Sequence, residues 1–306
     1  MPQSKLMSLA DAIDRCVPDG CSVVMGTCLE SMIPFAAGHE IIRQRKRDLT
    51  LVGPISDILF DQIIGAGGAA RVQAAWVGNV SAGLAHAYRR ATEQGVPRPL
   101  QVDDYSNYTL ALALLAGAHG LPFVPTRATL GSDIPKEHPG FLEGTSPFDG
   151  GKALYLRALL PDVAILAVQR ADAEGSAHLW GNLGISVEAG LAAKRVLLLA
   201  EDIVPTATIA SDPNRVLLPS FHVSAVVHCP GGCHPSPVQG YYRRDHAFYA
   251  EYHRQTQTVA DMEDWLEAWV RGVADRSGYL ERLGAERWAG LRRLQPAPAA
   301  PVDYAW

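Results

Sequence analysis

The residue types that could carry chemistry in this chain lie in three places. The first is Cys229-Pro-Gly-Gly-Cys233-His234, with His228 just before it, because thiolates and imidazoles are the ligands that zinc prefers. The C-x3-C spacing has no second pair to complete four ligands, and Pro-Gly-Gly after an apolar run is typical of a turn. We therefore predict a turn here and no metal site.

The second place is Cys28, which follows a short apolar run and could act as a nucleophile. A thiol in such a position is more often a small packed hydrophobic group, and that interpretation is favoured. The third place is Glu201-Asp202, directly after the apolar run 196–200. A ligand-binding role stays open for these carboxylates, because α/β sheets bind ligands at the carboxyl ends of their strands. A helix-capping or ion-pair role is the alternative.

Two further segments look like binding motifs. Gly65–Ala70 has the glycine content of a dinucleotide-binding loop, but a helical pattern precedes it and a strand pattern follows, the reverse of what that loop requires. It is predicted to cap a helix. The basic run Arg43–Arg47 predicts the solvated end of a helix, with a phosphate contact as the alternative. No Ser-His-Asp order or H-E-x-x-H motif completes a catalytic set, as expected of a binding protein or of one half of a shared active site.

These residues must be positioned by apolar segments that alternate with helical ones. Strands alternating with helices predict βαβ units and a mostly parallel sheet. The fold class is therefore α/β, an open, mostly parallel sheet with flanking helices and a C-terminal helical segment. The predicted strands are residues 22–25, 49–52, 71–77, 123–129, 162–169, 196–200 and 223–228, and the clearest predicted helix is 105–119.

The chain divides into one predicted domain, residues 1–291, and a Pro/Ala-rich tail, residues 292–306. Within the domain, residues 130–152 carry several Pro and Gly residues without periodicity. A long loop of this kind inside a compact domain is usually functional.

Composition excludes several classes of protein. With 306 residues, 48% of them hydrophobic and 19% charged, the chain can bury a core without disulfides or metals. A net charge of −5 offers no basic surface for nucleic acid. No apolar run approaches the roughly 18 residues of a membrane span, and Asp11 and Asp14 interrupt any signal-peptide core. The odd count of five cysteines predicts reduced thiols and a cytoplasmic location.

Short blocks of sequence, in order along nearly the whole chain, resemble one family. The chain resembles the α subunit of the family I CoA-transferases, and within that family the glutaconate CoA-transferase branch. The blocks include Leu9–Ile13, Asp48–Thr50, Arg71-Val72, Asp104–Ser106, Gly120–Phe123, Ser146–Phe148, Asp162–Ile165, Trp180-Gly181, Pro230–Gly240 and Leu283–Ala285.

The resemblance implies an enzyme that is active only with a β subunit, in an α2β2 or larger assembly. The β subunit would carry the nucleophilic glutamate, so no catalytic residue is expected in this chain. CoA would move between an acyl-CoA and a carboxylic acid by a ping-pong route through a glutamyl-CoA thioester. No metal or tightly bound cofactor is implied, since the CoA thioester is a substrate.

The resemblance also assigns the substrate-binding residues, by position, to three turns. They are the first turn (Gly26, Thr27, Cys28), the second turn (residues 79–83, with Asn79, Ser81 and Gly83) and the third turn (Gly131, Ser132). Their backbone N–H groups would approach an oxyanion closely.

The sequence departs from the family pattern in the first turn and just after it. The family has Gly-Gly and an aromatic residue where this chain has Gly26-Thr27-Cys28, and a basic residue before a proline where Met32-Ile33 precede Pro34. The lost positive charge predicts a less polar acyl group. Decarboxylation or carbon–carbon bond hydrolysis of a CoA thioester is the alternative reaction, and a non-catalytic ligand-binding protein is the third possibility.

Overall fold

The computed structural model describes residues 4–292. The predicted tail therefore lies, apart from residue 292, outside the described residues. Eleven strands are present: β1 (Ser22–Val24), β2 (Leu49–Ile55), β3 (Ala69–Trp76), β4 (Gln101–Asp104), β5 (Phe123–Thr126), β6 (Phe141–Thr145), β7 (Lys152–Arg157), β8 (Val163–Ala171), β9 (Ala177–His178), β10 (Arg195–Ile203) and β11 (Val223–His228).

Twelve α-helices in residues 4–292 connect and flank these strands. They are α1 (Leu9–Cys16), α2 (Phe35–Arg43), α3 (Asp57–Gly65), α4 (His86–Gln94), α5 (Asn107–Ala118), α6 (Ile134–Glu137), α7 (Ser186–Ala192), α8 (Thr206–Ala210), α9 (His246–Gln255), α10 (Val259–Leu266), α11 (Arg276–Leu283) and α12 (Ala285–Leu291). No described helix is long and apolar enough to cross a membrane.

The main sheet has the strand order β11-β10-β8-β1-β2-β3-β4, and every neighbouring pair in it is parallel. The short strand β9 adds to β8 in the antiparallel sense. These features confirm the predicted α/β class and mostly parallel sheet. The chain builds outward from β1 in one direction and from β8 in the other, so the topological switch lies between these two strands. A crevice outside their carboxyl ends is the expected ligand site of such a sheet.

Both faces of the main sheet are buried, which explains the continuous apolar runs in the sequence. In β8, Val163 and Ile165 belong to one core while Ala164 and Leu166 belong to the other, as the alternation of side chains along a strand requires. Helices α1, α2, α3, α9, α10 and α11 contribute to the first core, and α5 and α7 to the second.

Residues 123–157 form a second, smaller sheet rather than a strand and a loop. Strands β5, β7 and β6 pair antiparallel in that order. The predicted long loop 130–152 is wrong in part, because it contains α6 and β6. These strands are short and only partly buried, without a regular alternation of buried and exposed residues, and so give no clear strand pattern in the sequence.

The glycine-rich segment after α3 is a helix cap, as predicted. Gly67 has φ of +77°, and the N–H of Gly68 donates to the carbonyl of Ile63 at 3.0 Å, the bond that closes a Schellman motif. The predicted turn after β11 is also present, with the N–H of Gly232 donating to the carbonyl of Cys229 at 2.9 Å.

Candidate functional site

The first turn follows β1 at the switch point and admits only glycine at its start. Gly26 has φ of +67°, and a Cβ there would lie 2.5 Å from Ser56 Oγ and 3.0 Å from the carbonyl oxygen of Ile55. Ser56 Oγ itself donates to the Met25 carbonyl at 3.1 Å. The start of α3 therefore packs directly on this turn, and a side chain at Gly26 would separate them.

Two backbone N–H groups of this turn have no acceptor. In residues 4–292, the N–H groups of Gly26 and Thr27 make no hydrogen bond, although both residues are buried. Buried backbone donors are almost always paired, by protein, water or ligand. The first turn thus offers two adjacent donors at the switch point, which is where a negatively charged oxygen could be held.

Cys28, the last residue of the turn, is buried and faces α7. Its Sγ lies 3.2 Å from Ser186 Oγ, and Thr27 Oγ1 lies 2.7 Å from the same hydroxyl oxygen. Burial raises the pKa of the Cys28 thiol, so the thiol is protonated at neutral pH. This is the environment of a packed thiol rather than of a nucleophile.

The segment before α7 closes over the first turn from the β8 side. Asn182 Nδ2 donates to the Cys28 carbonyl at 3.0 Å, and the N–H of Ile185 donates to the Thr27 carbonyl at 2.9 Å. Gly184 lies so close that a Cβ would be 2.0 Å from the Thr27 carbonyl oxygen. Sequence reasoning missed these contacts; the only signal nearby was the Trp180-Gly181 block.

The second turn is organised by Asn79, whose side chain is fully engaged. Its Oδ1 accepts from the N–H groups of Ser81 and Ala82 at 3.1 and 3.0 Å, and its Nδ2 donates to the Tyr249 carbonyl at 2.8 Å. Asn79 is therefore a residue that shapes the turn, and its amide group is not available to a ligand. Gly83 closes the turn with φ of +99° and open space around its Cα.

A buried ion pair joins the start of α3 to the second turn and to Glu30, which follows the first turn. Asp57, at 0% exposure, pairs with Arg244, whose guanidinium also donates to Ser81 Oγ at 3.2 Å and to the Glu30 carbonyl at 3.3 Å. Asp57 Oδ1 accepts from the Val80 N–H at 3.1 Å. Burial raises the pKa of Asp57, while the guanidinium and two backbone N–H groups oppose that shift. Sequence reasoning missed this pair.

The third turn stands apart from the other two. Gly131 and Ser132 lie between β5 and α6, and Ser132 Oγ donates to the Thr129 carbonyl at 2.8 Å. Within the described part of the chain, no hydrogen bond links this turn to residues 26–28 or 79–83. The start of α3 contacts the first and second turns, and the third turn lies in the loop between β5 and α6.

Glu201, at the carboxyl end of β10, supports the segment that follows β11. Its carboxyl oxygens accept from the Gly231 N–H at 2.8 Å and from the Tyr242 hydroxyl at 2.7 Å. Burial raises the pKa of Glu201 to about 7. Both oxygens are engaged, so the structural role is the better description of this carboxylate. Among residues 4–292, no three His, Cys, Asp or Glu side chains are grouped as metal ligands would be.

Comparison with known proteins relates the whole of this arrangement to one family. The family model described as Coenzyme A transferase matches residues 6–229. The chain is 39% identical to the A subunit of the 3-oxoadipate CoA-transferase of Pseudomonas knackmussii over 280 residues, which is 92% of this chain and 98% of that protein. It is 30% identical to the A subunit of the glutaconate CoA-transferase of Acidaminococcus fermentans, over 94% of this chain and 95% of that one.

Two solved structures extend the comparison. The crystal structure of the Acidaminococcus fermentans glutaconate CoA-transferase matches with a TM-score of 0.88 at 30% identity, covering 95% of this chain and 96% of that one. The decarboxylase AibA/AibB C56S variant matches with a TM-score of 0.73 at 29% identity, covering 87% of this chain and 99% of that one.

Proposed function

We propose that this chain, which belongs to the coenzyme A transferase family, is the α subunit of a two-subunit enzyme. That enzyme would move CoA between an acyl-CoA and a carboxylic acid. The observation that carries the proposal is the pair of unpaired, buried N–H groups of Gly26 and Thr27 at the switch point. Donors placed in this way stabilise the oxyanion that forms whenever a thioester carbonyl is attacked.

The proposed nucleophile is a glutamate of the β subunit. Its carboxylate attacks the acyl carbonyl, the oxyanion collapses, and CoA leaves as a thiolate to give a mixed anhydride. The thiolate attacks the glutamyl carbonyl of the anhydride and releases the first acid, which leaves a glutamyl-CoA thioester. A second carboxylate repeats these steps in reverse, and the glutamate carboxylate is regenerated. This chain would supply the two N–H donors to the oxyanions.

The two buried carboxylates near the strand ends of this chain are both engaged, which supports the proposal that the nucleophile belongs to the partner subunit. Asp57 is paired with Arg244, and Glu201 is held by Tyr242 and Gly231, so neither is free to attack. The relatives from Pseudomonas and Acidaminococcus are themselves named as one subunit of their enzymes. An assembly of α2β2 or larger is the proposed arrangement, and light scattering on the purified complex measures it.

All five cysteines are free thiols, which fits the proposed cytoplasmic location.

The polarity of the acyl group cannot be inferred from Met32, because Met32 does not line the site. Its side chain is only 2% exposed and belongs to the second core. The missing basic residue at this position therefore says nothing about the polarity of the acyl group, and a lysine there would bury an ammonium group. By similarity to the relative named for 3-oxoadipate, a dicarboxylic acid is proposed as one substrate.

The experiment is to trap the thioester on the purified complex of both subunits. After incubation with acyl-CoA, hydroxylamine or borohydride cleaves the enzyme thioester, and mass spectrometry maps the modified residue. We expect the modification on a glutamate of the β subunit, with CoA exchange only when both subunits are present. A mark on Glu30, Glu201 or Cys28 of this chain, or full exchange by this chain alone, contradicts the proposal.

Decarboxylation of a CoA thioester is the second candidate. It is favoured by the replacement of the Gly-Gly-aromatic pattern with Gly26-Thr27-Cys28 and by the similarity to the decarboxylase AibA/AibB. The same complex, given a dicarboxylic mono-CoA thioester and no acceptor acid, would then release carbon dioxide without forming a trapped thioester. Transfer predicts the trapped thioester and no gas.

A further inference from the structure

We propose that a cleft between the two sheets, whose lining includes none of residues 26–28 or 79–83, binds a small organic monocarboxylate with an apolar tail. The cleft, hereafter the inter-sheet cleft, has a volume of about 580 Å³, within the range of small-molecule sites. Its polar wall consists of Arg71, Gln73, Asp103, Tyr105, His138 and Arg157. The proposal does not depend on the function proposed above.

The protonation state of His138 gives the polar wall a hydrogen-bond donor. The Gly140 N–H donates to His138 Nδ1 at 2.9 Å, so Nδ1 carries no proton. Burial lowers the pKa of His138, and the neutral ring must then hold its proton on Nε2. That nitrogen is buried and has no hydrogen-bond partner in the structure. His138 thus presents a donor that lacks an acceptor.

Tyr105 and Arg157 add two more donors without acceptors. The Tyr105 ring lies edge-on to His138 with ring centroids 4.4 Å apart, and its hydroxyl makes no hydrogen bond in residues 4–292. Arg157 is exposed to solvent, and its guanidinium has no ion-pair partner within residues 4–292. A ligand that only accepts hydrogen bonds would satisfy all three groups.

The charge of the cleft selects a monoanion. Asp103 accepts from Arg71 at 2.8 Å and from Gln73 at 2.8 Å, so one guanidinium is already neutralised. With His138 neutral, Arg157 leaves the lining with one net positive charge. A carboxylate matches that charge, whereas a phosphate dianion would exceed it and face Asp103.

The opposite wall of the cleft is apolar and would contact the apolar tail of the proposed ligand. It is formed by Leu121, Pro122, Leu159 and Leu160, and Leu121 and Leu160 are among the large hydrophobic side chains that remain exposed. An aliphatic chain on the carboxylate would cover these groups while the head meets Arg157. The combination of one charge and one apolar wall points to a short fatty acid rather than to a dicarboxylic acid.

The probe is hexanoate, titrated into the full protein with its partner and followed by saturation-transfer NMR. Arg157→Gln should weaken hexanoate binding about tenfold, the cost of one hydrogen bond to a charged group. Tyr105→Phe should also weaken it about tenfold, because the Tyr105 hydroxyl would donate to the same charged carboxylate. Lys152→Gln is the matched control: it removes a positive charge from the same strand, β7, outside the cleft, and should leave binding unchanged.

Two further ligands test whether the cleft requires a negative charge and whether it distinguishes a carboxylate from a phosphate. Hexan-1-ol, which lacks the charge, should bind at least about tenfold more weakly than hexanoate, and inorganic phosphate should not displace hexanoate. The KM of the transferred acid should be the same in Arg157→Gln and wild type, because the cleft is separate from the switch point. Hexanoate binding that is insensitive to both Arg157→Gln and Tyr105→Phe, or equal binding of hexan-1-ol or phosphate, overturns the proposal.

Discussion

The two edges of the main sheet both carry glycines and arginines, but helices begin at one edge and end at the other. At the carboxyl edge, where the parallel strands end, lie the first and second turns and the Asp57–Arg244 pair. At the amino edge lie the glycines 65–68 and the basic residues 43–47, around a second cleft of about 580 Å³. Helix α3 connects the two edges, since it begins at Asp57 and ends at Gly65.

The direction of the helices decides what each edge can bind. Helices α3 and α7 begin at the carboxyl edge, where free N–H groups favour negative charge, and α2 and α3 end at the amino edge, where free carbonyl groups favour positive charge. The basic run therefore complements helix ends: α2 ends at Arg43 as predicted, but only Arg45 and Arg47 of the run are exposed to solvent. Glycine and arginine content alone does not distinguish a binding edge from a structural one.

The largest expected difference between the edges concerns two glycines with the same left-handed backbone. Gly26→Ala places a Cβ 2.5 Å from Ser56 Oγ and displaces the turn, while Gly67→Ala meets nothing within 4 Å. We expect Gly26→Ala to lower the turnover number by about 10²–10³, the cost of misplacing an oxyanion donor. Gly67→Ala should cost about 1 kcal/mol of stability and leave turnover unchanged.

CoA exchange by the assembled enzyme measures turnover, and chemical denaturation measures the free energy of unfolding. Gly26→Val, a larger change, is expected to impair folding itself and is a poorer test. Equal turnover in the two alanine variants would mean that the first turn has no part in the chemistry.

The next difference concerns two aspartates, each with positive φ and each paired with an arginine. Asp57→Asn leaves Arg244 buried without its counter-charge and should lower the free energy of unfolding by about 3 kcal/mol. Asp48→Asn breaks the exposed pair with Arg98 and should cost less than about 1 kcal/mol. Urea denaturation of both variants measures the difference. Similar losses would show that the buried pair does not stabilise the contact between the second turn and the start of α3.

Glu201 makes the stability of the carboxyl edge depend on pH near neutrality. Its pKa in the folded state, about 7, lies above the ordinary value of 4.5, so folding favours the protonated carboxyl. Its stabilising contribution is complete below about pH 4.5 and is lost as the pH rises through 7. The stability of wild type relative to Glu201→Gln should therefore fall by about 2 kcal/mol between about pH 5 and about pH 8.

Glu263→Gln, which removes an exposed carboxylate paired with Arg271 on the amino edge, is the control for the loss of a carboxylate at the surface. Denaturation curves at a series of pH values provide the comparison. A constant difference between wild type and Glu201→Gln would mean that the carboxyl ionises normally in the folded chain.

The smallest effect is expected for the cysteines at the two ends of β1. Burial raises the pKa of both thiols, that of Cys21 to about 11. Cys28→Ser and Cys21→Ser should each change turnover by less than about threefold, as for other conservative substitutions. Iodoacetamide labelling of the native complex should be slow at both positions. A loss of about a hundredfold in Cys28→Ser alone would identify a nucleophile.

The sequence was sufficient for the fold class because the strands of a doubly covered parallel sheet are long apolar runs, such as 162–169 and 196–200. Gly26 could be identified as the start of a turn because its left-handed backbone requires a glycine, while the binding of substrate by this turn stays a prediction. The sequence could not supply the Asp57–Arg244 pair, whose members lie 187 positions apart in polar surroundings without a motif. The smaller sheet was missed because its strands have exposed faces and short, interrupted patterns.

The pairing of β1 with β8 has a consequence for how the chain is made. Val23 pairs with Val163, and the Ser22 backbone N–H donates to Asp162 across a separation of 140 residues. A ribosome adding about 5–20 residues per second needs on the order of ten seconds to cover that distance. Throughout that time one edge of β1 is unpaired and the first turn lacks the segment that closes over it. Folding of the first turn is therefore governed by a late, non-local event, and the nascent chain needs protection from aggregation until β8 arrives.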